Sequence, residues 1–155
     1  MFLSTIEFMI PKPVPFLRVG IANLPILMGL EILSPAEILV LVVLKVLGQG
    51  LVGGTLISYV LIFSAAGSFA SALAMMGVRA ALGKRISLVG TSVTGALAGN
   101  IAQIALARLL IFGAGAWLIA PPFLALGTIT SALLGVFAER FSRVSIWMRR
   151  MRGSR

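Results

Sequence analysis

The chain has 155 residues, 59% of them hydrophobic and only 11% charged, with a mean hydropathy of +1.11, against roughly 45–50% apolar and about 25% charged for an ordinary soluble domain. A water-soluble fold of this length has no room for so much apolar surface, and the composition predicts an all-α, polytopic membrane helix bundle. Cysteine, histidine and aspartate are absent and the acids are Glu7, Glu31, Glu37 and Glu139, which excludes disulfides, thiol chemistry and the usual zinc and haem ligands.

A helix needs about 20 mostly apolar residues to cross the hydrocarbon core. Residues 1–10 are too few, and the run Pro11-Lys12-Pro13-Val14-Pro15 cannot continue a helix. That segment is either a re-entrant or peripheral piece or the end of a first helix that begins upstream of Met1, and the truncated helix is the expectation. A cleaved signal peptide fits less well, because Glu7 stands where a basic start belongs.

Five fuller segments follow, at about 18–33, 36–52, 55–78, 87–112 and 117–137. Pro25 interrupts the first of these and Ser34-Pro35 closes it; Pro121-Pro122 is expected to break the last near its start. Residues 1–138 thus form one transmembrane domain, and 139–155 a basic tail. Of the 13 Lys and Arg residues, six fall in that tail: Arg140, Arg143, Arg149, Arg150, Arg152 and Arg155. With Trp147 among them they suit a cytoplasmic anchor to the head groups of membrane lipids, and no aromatic-interleaved basic groove points to nucleic acid.

Lys and Arg concentrate in cytoplasmic loops. Arg79, Lys84 and Arg85 therefore place the loop after the 55–78 segment inside, the tail inside, the Gly53-Gly54 connection outside and the Pro-rich loop outside. With six helices, both termini are cytoplasmic and the protein sits in the cell membrane.

Helices in lipid associate where small residues let backbones approach. Thr91, Gly95, Gly99 and Gln103 recur every four residues, with Ser92, Ala96 and Asn100 alongside; Ser64, Ser68 and Ala72, and Gly127, Ser131 and Gly135, form similar rows. Most of these are expected to pack the bundle, the remainder to dock another subunit.

Ionisable and amide groups inside a span are costly and mark candidate sites. Lys45 has Gln49 one turn on; Arg108 follows Asn100 and Gln103; Arg18 opens its segment ahead of Asn23. Arg18, Lys45 and Arg108 fall at middle or external depth, where Glu7 is the nearby acid. The candidate substrate-binding set is accordingly Glu7, Arg18, Asn23, Lys45, Gln49, Asn100, Gln103 and Arg108, and the ligand an anionic, small-molecule or lipid-like substrate. The competing explanation is that Arg18 and Arg108 reach to the interface while Lys45 pairs with Glu7.

Gly48-Gln-Gly-Leu-Val-Gly-Gly-Thr55 superficially resembles a phosphate loop but has no lysine for the phosphates and lies between membrane segments. No paired carboxylates stand at catalytic spacing, and no histidine can serve a serine nucleophile. The chain is expected to be no enzyme, to hold no cofactor or metal, and to leave ATP-driven work to a separate subunit.

With Ile6-Glu7-Phe8-Met9-Ile10-Pro11, Arg18-Val-Gly-Ile-Ala-Asn23, Leu44-Lys45-Val46-Leu47-Gly48 and Gly90-Thr-Ser-Val-Thr-Gly95 leading to Asn100-Ile-Ala-Gln103, the chain resembles the Gx transporter family. That family is also called heptaprenyl diphosphate synthase component I and is similar to the substrate-capture (S) components of energy-coupling factor transporters. The likeness covers about residues 6–138. It implies a six-helix bundle with both ends inside, an external loop capping a ligand, and as partners a transmembrane coupling subunit and cytoplasmic ATPase subunits. The synthase name implies another role, as the non-catalytic membrane partner of a prenyl diphosphate synthase catalytic subunit. At the N-terminus the sequence departs from the pattern, so the docking surface of that helix is not carried over.

Overall fold

A computed structural model describes residues 23–144, with Lys84, Ala114, Ile119 and Arg143 described in backbone only. Segment 1–10, Glu7, Arg18 and the tail beyond Val144 lie outside the described residues. Among the described residues, the regular elements are all helical: α1 (Leu24–Gly29), α2 (Pro35–Val52), α3 (Tyr59–Leu82), α4 (Leu88–Ala107) and α5 (Ala116–Val144). Four helices, α2 to α5, are long and apolar enough to cross a membrane.

Helices α2, α3 and α4 each start where a serine supplies an acceptor for their unpaired amides. Ser34 opens α2 with a capping box: its backbone N–H and hydroxyl donate to Glu37 Oε2 at 2.7 and 2.8 Å, and Glu37 N–H returns to Ser34 Oγ. Ser58 caps α3 and Ser87 caps α4. The predicted segment at 55–78 is displaced at both ends, to Tyr59–Leu82. Residues 55–58 are taken up by a turn in which Ser58 N–H donates to the Thr55 carbonyl at 3.1 Å, and α3 runs on past Arg79 until Gly83, whose φ of 55° ends it.

The expected break at Pro121-Pro122 is not found, because both prolines lie inside the continuous helix α5. They withhold donors from the carbonyls of Trp117 and Leu118, and that turn is exposed, so the lost bonds fall on the rim of the bundle instead of its interior. Of the predicted segment 18–33, the described part is short: six helical residues, then a turn in which Leu33 N–H reaches the Gly29 carbonyl at 2.7 Å.

Short as it is, α1 is central. Ile26 and Leu27 are buried to 2% exposure or less and join Ile38, Val42 and Val46 of α2, Ala72 and Met75 of α3, Leu88 of α4 and Ala138 of α5 in one core. The opposite stripe of α2 (Val40, Val43, Leu44, Leu47, Leu51) is exposed, as suits a surface covered by lipid.

The tightest packing is around α4, which lies between α3 and α5. A Cβ on Gly99 would come within 2.8 Å of the Gly67 carbonyl oxygen, and one on Gly135 within 2.6 Å of Val89 Cα. Both clashes are with backbone, which cannot swing aside. Ser92 Oγ crosses to the Ser131 carbonyl at 2.8 Å, joining α4 to α5. The small-residue rows of the described helices are thus consumed in holding them to each other.

At one end the turn after α1 meets the ends of α3 and α5. Glu31 lies 3.5 Å from Arg79 and accepts a 2.7 Å hydrogen bond from Ser142. We call this the basic end.

Substituting Gly135→Ala should drive α4 and α5 apart and cost about 1–3 kcal/mol. Gly77→Ala, with nothing within 4 Å of the added methyl, should be neutral or stabilise α3 by up to about 1 kcal/mol. Thermal unfolding of the detergent-solubilised variants measures both, and equal melting temperatures would contradict the packing described.

Candidate functional site

Lys45 projects from the middle of α2 toward α3, where successive small residues leave it space. Its ammonium donates to Asn23 Oδ1 and, at 3.1 Å, to Ser68 Oγ. Asn23 immediately precedes α1, yet its side chain makes no cap hydrogen bond to that helix; its oxygen is turned to the lysine. A lysine at mid-span costs about 3 kcal/mol to insert, and this cluster of oxygens offsets that cost.

Three further polar groups converge from α3 and α4. Ser71, Asn100 and Gln103 are 1%, 8% and 3% exposed, and Ser71 Oγ, Asn100 Nδ2 and Gln103 Oε1 have no hydrogen-bond partner among the described residues. They line one cavity of about 40 Å³ together with Asn23, Lys45 and Ser68. Since one water needs roughly 10–15 Å³ by this measure, the cavity admits a few water-sized groups.

Glycines make the approach possible. The Gln103 amide packs over Gly67 and donates from Nε2 to the Phe63 carbonyl at 3.3 Å, and the Asn100 amide lies directly over Gly127. A side chain at either glycine would occupy the place of the amide.

Electrostatically the cavity is one-sided. Lys45 is its cation, and its lining includes no acid among the described residues. Glu37 is two helical turns away on α2 and Glu139 two turns beyond Ser131 on α5, roughly 12 Å at 1.5 Å per residue; Glu31 is held in the basic-end cluster.

Of the residues singled out from the sequence, Asn23, Lys45, Asn100 and Gln103 meet around the cavity. Gln49 stands beside it, its Oε1 accepting from Ser64 Oγ at 3.3 Å. Arg108 is elsewhere: it begins a π-helical turn (Arg108–Phe112) at the end of α4 and places its Cζ over the Trp117 ring, 5.8 Å from the centroid. It lines a separate, open groove between α4 and α5. Ser68 and Ser71 are the polar members that sequence patterning read only as small or passed over. The spacing of Ser64, Ser68 and Ser71 puts three hydroxyls on one face of α3, which was the available signal.

The family model for heptaprenyl diphosphate synthase component I matches residues 1–141. The chain belongs to that family. No curated protein and no solved structure matches it. In this component I family member, no cluster of His, Cys, Asp or Glu suited to a metal occurs among the described residues, so the site's chemistry is that of an ammonium, hydroxyls and carboxamides.

Asn23 and Lys45 are energetically coupled through their shared bond. Asn23→Leu and Lys45→Met should each destabilise the component I chain, and the double variant should lose less than the sum, by about 0.5–3 kcal/mol. Additive losses in a double-mutant cycle of melting or denaturant data would show that the pair is not coupled.

Proposed function

We propose that this component I family member is the membrane-embedded substrate-binding subunit of an energy-coupling-factor-type uptake transporter, capturing a small or amphiphilic anionic solute. The observation that carries it is the cavity in which Lys45 converges with the unpartnered donor of Asn100 and the hydroxyls of Ser68 and Ser71. An ammonium, a carboxamide N–H and hydroxyls, in a lining that supplies no carboxylate among the described residues, complement an oxyanion. A bound carboxylate or phosphate would take over the acceptor position of Asn23 at Lys45, and movement of Asn23 with α1 would give it room.

The positive-inside rule orients the chain with Arg79, Lys84, Arg85 and the 140–155 tail in the cytoplasm of the cell. Lys45 is then ten residues, about 15 Å, from the cytoplasmic start of α2, and Gln103 about 22 Å from that of α4, so the cavity spans middle to outer depth. A coupling subunit and ATPase subunits would convert capture into uptake, since the chain carries no phosphate loop.

The family description favours an alternative role, as the non-catalytic membrane component of a heptaprenyl or polyprenyl diphosphate synthase, recruiting the catalytic subunit to the bilayer. Co-purification separates the two. Recovery with a coupling protein and ATPases supports uptake, while recovery with a prenyl-transferring enzyme alone sinks it. For the cavity, Lys45→Met should weaken binding of the co-purified solute by about tenfold or more, the worth of a charge-assisted hydrogen bond, while leaving melting less affected. Undiminished solute binding in that variant removes the cavity from the mechanism.

A further inference from the structure

The second polar position of the spans, Arg108, is built differently from Lys45 and serves a different ligand. On α4, Ile101, Ile104, Ala105 and Arg108 follow at intervals of three, four and seven residues and make one stripe. On α5, Trp117, Ala120 and Leu124 make another. The two stripes wall an open groove of about 890 Å³, apolar along its length, with Arg108 and Trp117 at its mouth. Gln103 and Arg108 are five residues apart, about 140° around the helix, so the groove faces away from the Lys45 cavity.

Three observations converge on an occupant. Arg108 Cζ lies over the Trp117 ring, 5.8 Å from its centroid, a cation–π contact that uses none of the guanidinium's N–H donors. Among the described residues no acid lines the groove, and the described acids Glu31, Glu37 and Glu139 lie toward the basic end. The π-helical turn that starts at Arg108 shifts the register where the apolar stripe ends, as such turns do at binding sites.

We propose that this groove binds an anionic phospholipid of the leaflet opposite the basic end, with the phosphate on Arg108 and an acyl chain along Ile101, Ile104, Ala105 and Leu124. A free inorganic anion would gain nothing from the apolar length of the groove. A zwitterionic lipid would find no carboxylate for its cationic group among the described residues of the groove, and Arg108 already lies over the Trp117 ring.

The test uses the full chain in detergent, titrated with dioleoylphosphatidylglycerol, with dioleoylphosphatidylcholine and with inorganic phosphate, and read by native mass spectrometry. Phosphatidylglycerol should be retained about tenfold more than phosphatidylcholine, the ratio that one charge-assisted contact gives, and phosphate should not displace it. Arg108→Gln should abolish the preference and Ala105→Phe should lower occupancy by blocking the chain, while Arg140→Gln at the basic end should keep both. An unchanged preference in Arg108→Gln, or equal loss in Arg140→Gln, overturns the proposal. A second measurement needs no change at Arg108: in a Trp147→Phe background, Trp117 fluorescence in vesicles should be quenched more by brominated phosphatidylglycerol than by brominated phosphatidylcholine. Equal quenching likewise overturns it.

Discussion

The backbone of α4 touches its neighbours, and the rest of the bundle depends on that contact. In lipid the hydrophobic effect gives helices no reason to leave the solvent for one another, so dispersion at close range and hydrogen bonds must hold them. Gly99 brings α4 onto the Gly67 carbonyl and Gly135 brings α5 onto Val89. Once these axes are fixed, the amides of Asn100 and Gln103 have one place each to go, over Gly127 and Gly67. Gly67 and Gly99, which meet at the α3–α4 contact, also line the polar cavity, so stability and site cannot be varied independently along this face.

The polar groups are sorted by depth. At the basic end they are paired with one another: Glu31 with Arg79 and Ser142, and Glu37 within its own capping box. At mid-depth the pairing is incomplete, and Ser71, Asn100 and Gln103 each keep one atom without a partner among the described residues. Each such atom costs about 1–3 kcal/mol when no solvent or solute reaches it. The bundle satisfies its described polar groups at one end and leaves three converging at the centre, the feature on which the proposed solute site rests.

Four of the segments read from the sequence appear as helices of spanning length, because run length and apolarity are one-dimensional properties. Their ends were less legible. The turn at residues 55–58 depends on a backbone bond, and the passage of α5 through Pro121-Pro122 depends on that turn being exposed; neither is a property of composition. For the site, the rarity of amides and cations in apolar segments was enough to pick out Asn23, Lys45, Asn100 and Gln103, since each is expensive there. Which of them meet was not legible, because it follows from helix rotation and crossing, and serine on α3 was indistinguishable from packing alanine until Lys45 was seen to reach Ser68. Residues 1–22 carry Glu7 and Arg18 and lie outside the described part of the chain.

The distance between Lys45 and Arg108 matters more than their common charge. Gathered around one cavity, two cations would raise each other's desolvation cost and demand a strongly charged ligand to compensate. Placed on different faces of the bundle, each is accommodated by its own means: Lys45 by carboxamide and hydroxyl oxygens in the interior, Arg108 by an aromatic face and exposure at the rim. On the uptake reading proposed above, the interior cation meets the anionic solute without a second cation beside it, and the rim cation stands at the lipid headgroups. Because Gly113, with its φ of 53°, lies in the connection between α4 and α5 beside Arg108, an anion held there would bear on the α4–α5 contact from which the cavity's amides project.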